Sequence, residues 1–257
     1  MKMKNPEDFF LAFIWLTRLE SMQGDYMRSV TLTILLLIVP AFAQGGIDAD
    51  QKLDSGYILK DINIPAGSDR ANVHVNTVIN SSPKSVWAAL VDIGSWPRWL
   101  PMTKTAEFLS DGAAKLVTPD IAKDRAKVLE ISSRYPLGKS SDTGAGHWQR
   151  VAYEEYDLPW PIKNEWVVRR YNYNEENDLF RASWRRIDST RSEDDGFWEV
   201  RPWKNGRTYL TYCYRVKPKE NVPEIVFKTA VSMTVNSMIK ALRHEAARLE
   251  TGMAKLK

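Results

Sequence analysis

Alternation of apolar and polar residues with period two dominates the second half of the chain. It runs through His147–Tyr156, 166–173, 179–187, 196–202 and Thr208–Lys217, broken by short polar links such as Asn174-Glu175-Glu176-Asn177-Asp178 and Lys204-Asn205-Gly206. Alternation places successive side chains on opposite faces of a strand, and tight links between sequential strands predict an antiparallel meander. Residues 57–64 and 72–80 carry the same pattern on either side of Pro65-Ala66-Gly67-Ser68-Asp69, and predict an opening pair of strands.

Elsewhere the spacing becomes helical. Ser81-Ser82-Pro83-Lys84 supplies a helix start, Val86, Trp87, Leu90 and Val91 fall on one face, and Gly94 and Pro97 end it. Trp96-Pro97-Arg98-Trp99-Leu100-Pro101 then puts two indoles at a corner, either an aromatic plug beside a pocket or part of the core, ahead of a strand over 104–109 that stops at Asp111-Gly112. Thr118 with Pro119 is an N-cap followed by proline at the first helical position, so 121–131 is expected to be an inserted or edge helix. The glycine- and serine-rich stretch 138–146 lacks the lysine of a phosphate-binding loop and is expected to be a flexible turn. Past Pro223, Ile225, Val226, Ala230, Met233, Met238, Leu242, Ala246 and Leu249 recur at helical spacing over roughly 25 residues. One long amphipathic C-terminal helix of this kind can lie across a curved sheet and leave a pocket beneath it.

Composition narrows the class. A chain of 257 residues that is 44% hydrophobic and 26% charged has enough apolar material for one ordinary globular domain, which excludes disorder for most of it. The net charge of +4 is small against 36 basic and 32 acidic residues, so the surface is expected to be mixed in sign. From Met27 the chain shows a positive start, an apolar run over 32–39 and Ala41-Phe42-Ala43, the layout of a secretory signal peptide over 27–43 cleaved after Ala43. The run is short for a membrane span, which needs about 20 apolar residues; the alternative is an uncleaved signal that anchors the chain. Residues 1–26 precede the signal, and translation is expected to begin at Met22 or Met27. The remainder divides into a linker over 44–54, a ligand-binding domain over 55–250 and a tail over 251–257. Export to the periplasm or the exterior places the chain in an oxidising compartment, yet its one cysteine, Cys213, allows no intrachain disulfide and no cysteine metal cluster.

The order of strand, helix, antiparallel strands and long closing helix resembles the helix-grip fold, an α+β architecture. Separate segments resemble the START lipid-transfer domain family: Val86-Trp87-Ala88-Ala89-Leu90-Val91-Asp92 with Trp96 and Trp99, the corner Leu158-Pro159-Trp160-Pro161-Ile162-Lys163-Asn164, Gly196-Phe197-Trp198-Glu199-Val200-Arg201-Pro202, Gly206-Arg207-Thr208-Tyr209-Leu210-Thr211-Tyr212, and Val222-Pro223. The likeness covers roughly residues 55–250. It departs at Glu165, which follows Asn164 where family members carry an arginine-aspartate pair, and at 119–146, which is longer than the family pattern.

The resemblance implies a curved antiparallel sheet around the C-terminal helix with an internal hydrophobic cavity. It also implies that Arg170, on the strand face shared with Trp166 and Val168, points into that cavity and orients a ligand phosphate, carboxylate or carbonyl. A buried arginine needs a partner, and Glu154 and Glu155, on opposite faces of the preceding strand, are the candidates. Trp148, Trp184, Tyr212, Met233 and Met238 are the expected pocket lining.

The expected function is binding and transfer, without catalysis, of one lipid or other hydrophobic small molecule. The alternative is a cyclase- or aromatase-like enzyme using His147 with Glu154 or Arg150 on a polyketide-like or aromatic substrate. His74, His147 and His244 are widely spaced and form no metal motif, so neither metal nor cofactor is expected. The expected partners are the hydrophobic ligand and, transiently, a membrane surface. Arg169-Arg170 and Arg185-Arg186 imitate a nucleic-acid face only in sequence, since adjacent strand residues point oppositely; no nucleic acid is expected, and the chain is expected to act as a monomer.

Overall fold

The period-two segments form one antiparallel sheet. The structure, a computed structural model, describes residues 49–65, 70–135, 137, 141–144, 146–157, 164–190, 193–217 and 224–255, all within the unit Ile47–Lys257. Its strands are β1 (Leu59–Asn63), β2 (Ala71–Ile79), β3 (Thr103–Leu109), β4 (Ser141–Gly144), β5 (His147–Tyr156), β6 (Glu165–Glu176), β7 (Leu179–Ser189), β8 (Glu193–Pro202) and β9 (Thr208–Lys217). They run in the order β1-β2-β9-β8-β7-β6-β5-β3, with β4 also paired to β5. The five strands β5 to β9 are the meander read from the alternation, and β2 closes onto β9 from the far end of the sequence.

The helices are α1 (Ala49–Asp54), α2 (Pro83–Val91), α3 (Trp96–Trp99), α4 (Asp111–Leu116), α5 (Pro119–Ala122), α6 (Arg125–Arg134) and α7 (Glu224–Ala254). Serine and proline start α2 as expected: the Ser82 hydroxyl accepts a hydrogen bond from the Ser85 N–H, and Pro83 takes a position whose missing N–H costs nothing there. At 31 residues, α7 is about 46 Å long at 1.5 Å per residue. Among the described residues, no helix is long and apolar enough to cross a membrane.

Strand alternation sorts the core into two layers. One sheet face presents Val73, Val75, Ala152, Tyr171, Tyr173, Ala182, Trp184, Trp198, Val200, Leu210 and Tyr212, buried together with Val86, Trp87 and Leu90 of α2 and Val235, Ile239, Leu242 and Ala246 of α7. This is the curved sheet gripping its C-terminal helix, the α+β helix-grip architecture expected. The opposite face of β3, β5 and β6 contributes Leu109, Val151, Tyr153, Trp166 and Val168, covered by Ala113, Ala122 and Val128 from α4, α5 and α6. Each fully buried large apolar side chain contributes about 1.5–3 kcal/mol, so both layers hold the sheet.

The strand expected over 104–109 does stop before Asp111-Gly112, which opens α4 because the Ser110 hydroxyl accepts from the Ala113 N–H at 3.1 Å. Two local expectations are corrected. The helix expected over 121–131 is two helices: the Asp124 carboxylate accepts from the N–H groups of Ala126 (3.1 Å) and Lys127 (3.4 Å), so it restarts the helix where periodicity alone continues it. Residues 141–144 are strand β4, held by backbone pairing to β5, which needs no apolar alternation. The signal peptide expected over 27–43, the residues 1–26 before it and most of the proline-rich corner, 158–163, lie outside the described residues.

Candidate functional site

The inner face of the sheet is an aromatic floor beneath α7. Trp148 stacks on Tyr173 with ring centroids 5.1 Å apart, Tyr173 stacks on Tyr171 at 5.9 Å, and Tyr212 stacks on Trp198 at 4.1 Å. Trp184 lies among Tyr171, Trp198, Tyr212 and Tyr214 at 6.0–6.2 Å. Room for that indole comes from Gly196: a Cβ there would meet Trp184 Cζ2 at 2.6 Å and the Cys213 carbonyl oxygen at 2.3 Å, so only glycine fits. Two polar atoms on this floor are buried without a hydrogen-bond partner among the described residues, the Tyr173 hydroxyl and the Trp184 indole nitrogen. Each such group costs about 1–3 kcal/mol when left unsatisfied. Burial, reinforced by Glu154, also holds the Tyr173 phenol well above the usual tyrosine range.

At one end of the floor lies a closed charge cluster. Arg169 Nε and Nη2 donate to the two Asp194 carboxylate oxygens at 2.6 and 2.7 Å, and Nη1 donates to Glu154 and to the Tyr156 hydroxyl, the latter at 2.8 Å. The Tyr171 hydroxyl donates to Glu154 at 2.5 Å and the Tyr214 hydroxyl to Asp194 at 2.8 Å; Tyr156 also donates to Glu154. The Arg169, Glu154 and Asp194 side chains are buried. Burial opposes the charge on Arg169, but Asp194 and Glu154 outweigh it and hold the guanidinium's proton above the ordinary arginine range. One guanidinium thus faces two carboxylates.

Several expected site residues meet on this face. Glu154 is the inward member of the pair Glu154 and Glu155; Glu155 instead accepts from Lys104 at 2.8 Å on the other face. Trp148, Trp184 and Tyr212 are on the floor, and Met238 packs half-buried against it. The expectation for Arg170 is corrected: it is exposed on the outer face, and its neighbour Arg169 points inward. Trp166, on the Arg170 face, belongs to the layer under α4 to α6. Met233 is 40% exposed on α7, away from the floor. His147 is exposed at the start of β5. Glu154 lies seven residues further along, about 23 Å at 3.3 Å per residue, and on the opposite face, so His147 does not pair with Glu154. Among the described residues, no His, Cys, Asp and Glu cluster suits a metal ion.

Sequence reasoning missed Arg169, Asp194 and the three tyrosines. Alternation did separate Val167, Arg169 and Tyr171 from Trp166, Val168 and Arg170, but both sets are apolar enough to be buried, since β6 is covered on both sides. A register shift against β7 between Val168 and Arg169 further blurs the pattern there. Asp194 sits in the acidic run Glu193-Asp194-Asp195, which reads as a loop although it begins β8. The usable signal was the tyrosine set: Tyr171 and Tyr173 share a strand face with Arg169, and phenols suit a buried carboxylate.

Sequence comparison with curated proteins found no match. Solved structures with the same fold include a STAR-related lipid transfer protein fragment from Xanthomonas axonopodis, 15% identical over 74% of this chain and 93% of that one, with a TM-score of 0.52. Human STARD10 is 11% identical, covering 83% of this chain and 86% of that one at a TM-score of 0.52. The human StAR-related lipid transfer protein 5 is 8% identical over 74% and 81% at 0.51. These likenesses show the helix-grip fold. A family model described as polyketide cyclase / dehydrase and lipid transport matches residues 79–243, from the end of β2 into α7 and across the whole aromatic floor. The chain therefore belongs to the polyketide cyclase / dehydrase and lipid transport family.

Proposed function

We propose that the chain is a noncatalytic carrier that holds one neutral hydrophobic molecule, a lipid, between the aromatic floor and α7. The observation that carries this reading is the pair of buried donors on the aromatic floor, Tyr173 OH and Trp184 Nε1, that meet no partner among the described residues. A hydroxyl or carbonyl oxygen on a bound ligand would accept from them and remove their cost. Ligand methylenes would contribute roughly 0.8 kcal/mol each on burial, so apolar contact supplies the affinity and the donors the orientation.

The charge cluster supports a neutral ligand over an anionic one. Arg169 is engaged by two carboxylates and two phenols, so a phosphate entering there would face Glu154 and Asp194 as well as the guanidinium. Entry is through the first third of α7: Glu224–Thr234 has no buried residue, and Ile225 is 70% exposed. There Lys60 Nζ on β1 donates to Ser232 Oγ and Asn236 Oδ1, both at 2.9 Å, and acts as the latch. The carrier works after export through the signal over 27–43 and contacts a membrane transiently to load.

The test is lipid transfer between vesicles, with neutral and phosphate-bearing fluorescent lipids offered together. Stoichiometric uptake of the neutral lipid, unaltered by His147→Ala, is expected. Turnover of a substrate that His147→Ala abolishes would replace the carrier reading with an enzymatic one.

A further inference from the structure

A concavity lies on the solvent side of α7, away from the aromatic floor. It is an open groove of about 470 Å³ between α7 and the turn that follows α3, within the usual size range for small-ligand sites. Its wall is mostly apolar, built from Trp99, Pro101 and Ala241 with Ser237 and Glu245 beside them, and its rim carries Lys240, His244 and Arg248. Those three recur every four residues, so one helix face presents them together.

The wall is held in place. Trp99 Nε1 donates to Ser95 Oγ at 3.1 Å, and the Leu100 N–H donates to the Trp96 carbonyl at 2.7 Å. Met102 then turns the chain at φ 64°, unusual for a residue with a side chain, and its carbonyl accepts from the Asp157 N–H at 2.8 Å. The indole therefore faces the groove from a fixed corner.

The rim has uncompensated positive charge. Buried Glu245 accepts from Arg248 at 2.6 and 2.7 Å and from Arg98 at 2.8 Å, so one carboxylate fixes two guanidinium groups. Lys240, exposed one turn before His244, makes no ion pair among the described residues and adds a further charge. An apolar wall with a basic rim complements a molecule that is apolar at one end and anionic at the other.

We propose that this groove binds a dissolved organic phosphate, with the apolar group against Trp99 and Pro101 and the phosphate oxygens accepting from Lys240, His244 and Arg248. Its concavity suits a small molecule better than a flat lipid surface. This site is separate from the aromatic floor and does not depend on the carrier reading.

Isothermal titration of the full chain with phenyl phosphate, inorganic phosphate and benzyl alcohol tests it. Phenyl phosphate is expected to bind at least tenfold more tightly than either of the other two, and the affinity should fall as sodium chloride rises. Lys240→Glu should weaken it at least tenfold, because the exposed lysine has no structural partner to lose. Trp99→Ala should remove the preference over inorganic phosphate, while Arg170→Glu, which makes the same charge change on the sheet's outer face, should leave binding unaltered. Equal affinity for benzyl alcohol, indifference to Lys240→Glu, or equal weakening by Arg170→Glu would overturn the site. So would failure of phenyl phosphate to bind, whether or not the chain shows Lys240-dependent pelleting with phosphatidylglycerol vesicles, an outcome that would point to an anionic lipid surface instead.

Discussion

Two arginine–carboxylate clusters, one on the inner face of the sheet and one on α7, have inverse stoichiometry. Inside, Arg169 meets Glu154 and Asp194, one cation to two anions, with all three side chains buried. Outside, Glu245 meets Arg98 and Arg248, one anion to two cations, with both arginines more than half exposed. The residual charge differs in sign and so does its cost. Within the core the second carboxylate is tolerated because tyrosine hydroxyls donate to it; at the surface the second guanidinium is solvated. The inner cluster is thus a stability element that disfavours anions, and the outer one leaves positive charge for a ligand.

The largest effect should come from breaking the inner set. Arg169→Leu strands two buried carboxylates and is expected to destabilise the chain by about 3–5 kcal/mol, read as a lower urea midpoint with an unchanged slope. An effect no larger than that of a surface change would show that the cluster is not the buried network described. Next is Tyr171→Phe, which removes the 2.5 Å bond to Glu154 and should cost about 1–3 kcal/mol.

Tyr171 and Tyr173 also predict an alkaline limit. Burial foremost, and then Glu154, raise both phenols. Groups raised in the folded state stabilise it fully below their unfolded value, so stability should begin to fall as pH passes about 10. A second step of phenolate absorbance, beyond that of exposed tyrosines such as Tyr57 and Tyr135, that appears only together with unfolding would bear this out; smooth ionisation of all tyrosines in the folded chain would contradict it.

Outside, the effects shrink. Glu245→Gln should cost no more than about 1 kcal/mol, because its arginine partners are exposed and solvent screens them. The Arg248 hydrogen bond, with both arginines' charges, holds the Glu245 carboxyl below the usual glutamate range. A depressed value means that its stabilisation is present at neutral pH and is lost as pH falls below about 4, so the gap in stability between wild type and Glu245→Gln should narrow as the solution is acidified past that point. Smallest is Arg170→Ala, expected within about 0.5 kcal/mol of wild type, a direct contrast with Arg169 one residue away.

That contrast marks what the sequence made legible. Period-two alternation located β5 and β9 to the residue, serine and proline located the start of α2, and helical spacing located α7. Choosing the inward face of β6 was beyond it, because Trp166 and Val168 are buried under α4 to α6 just as Tyr171 and Tyr173 are buried under α7. Periodicity identifies two faces without naming them when both are covered. Asp194 was hidden for a different reason: a carboxylate looks solvent-directed in sequence, and only strand pairing brings it within reach of Arg169. Met233 shows the converse, an apolar residue on α7 that faces solvent where the helix is least packed.

As a carrier, the chain holds one neutral hydrophobic molecule on the aromatic floor. Native mass spectrometry of the purified full chain, followed by organic extraction and lipid identification, tests it most directly. The predicted result is one neutral lipid per chain, acquired during expression or from vesicles. A chain that stays empty after incubation with mixed vesicles, or one that retains only phosphate-bearing lipid, would contradict it.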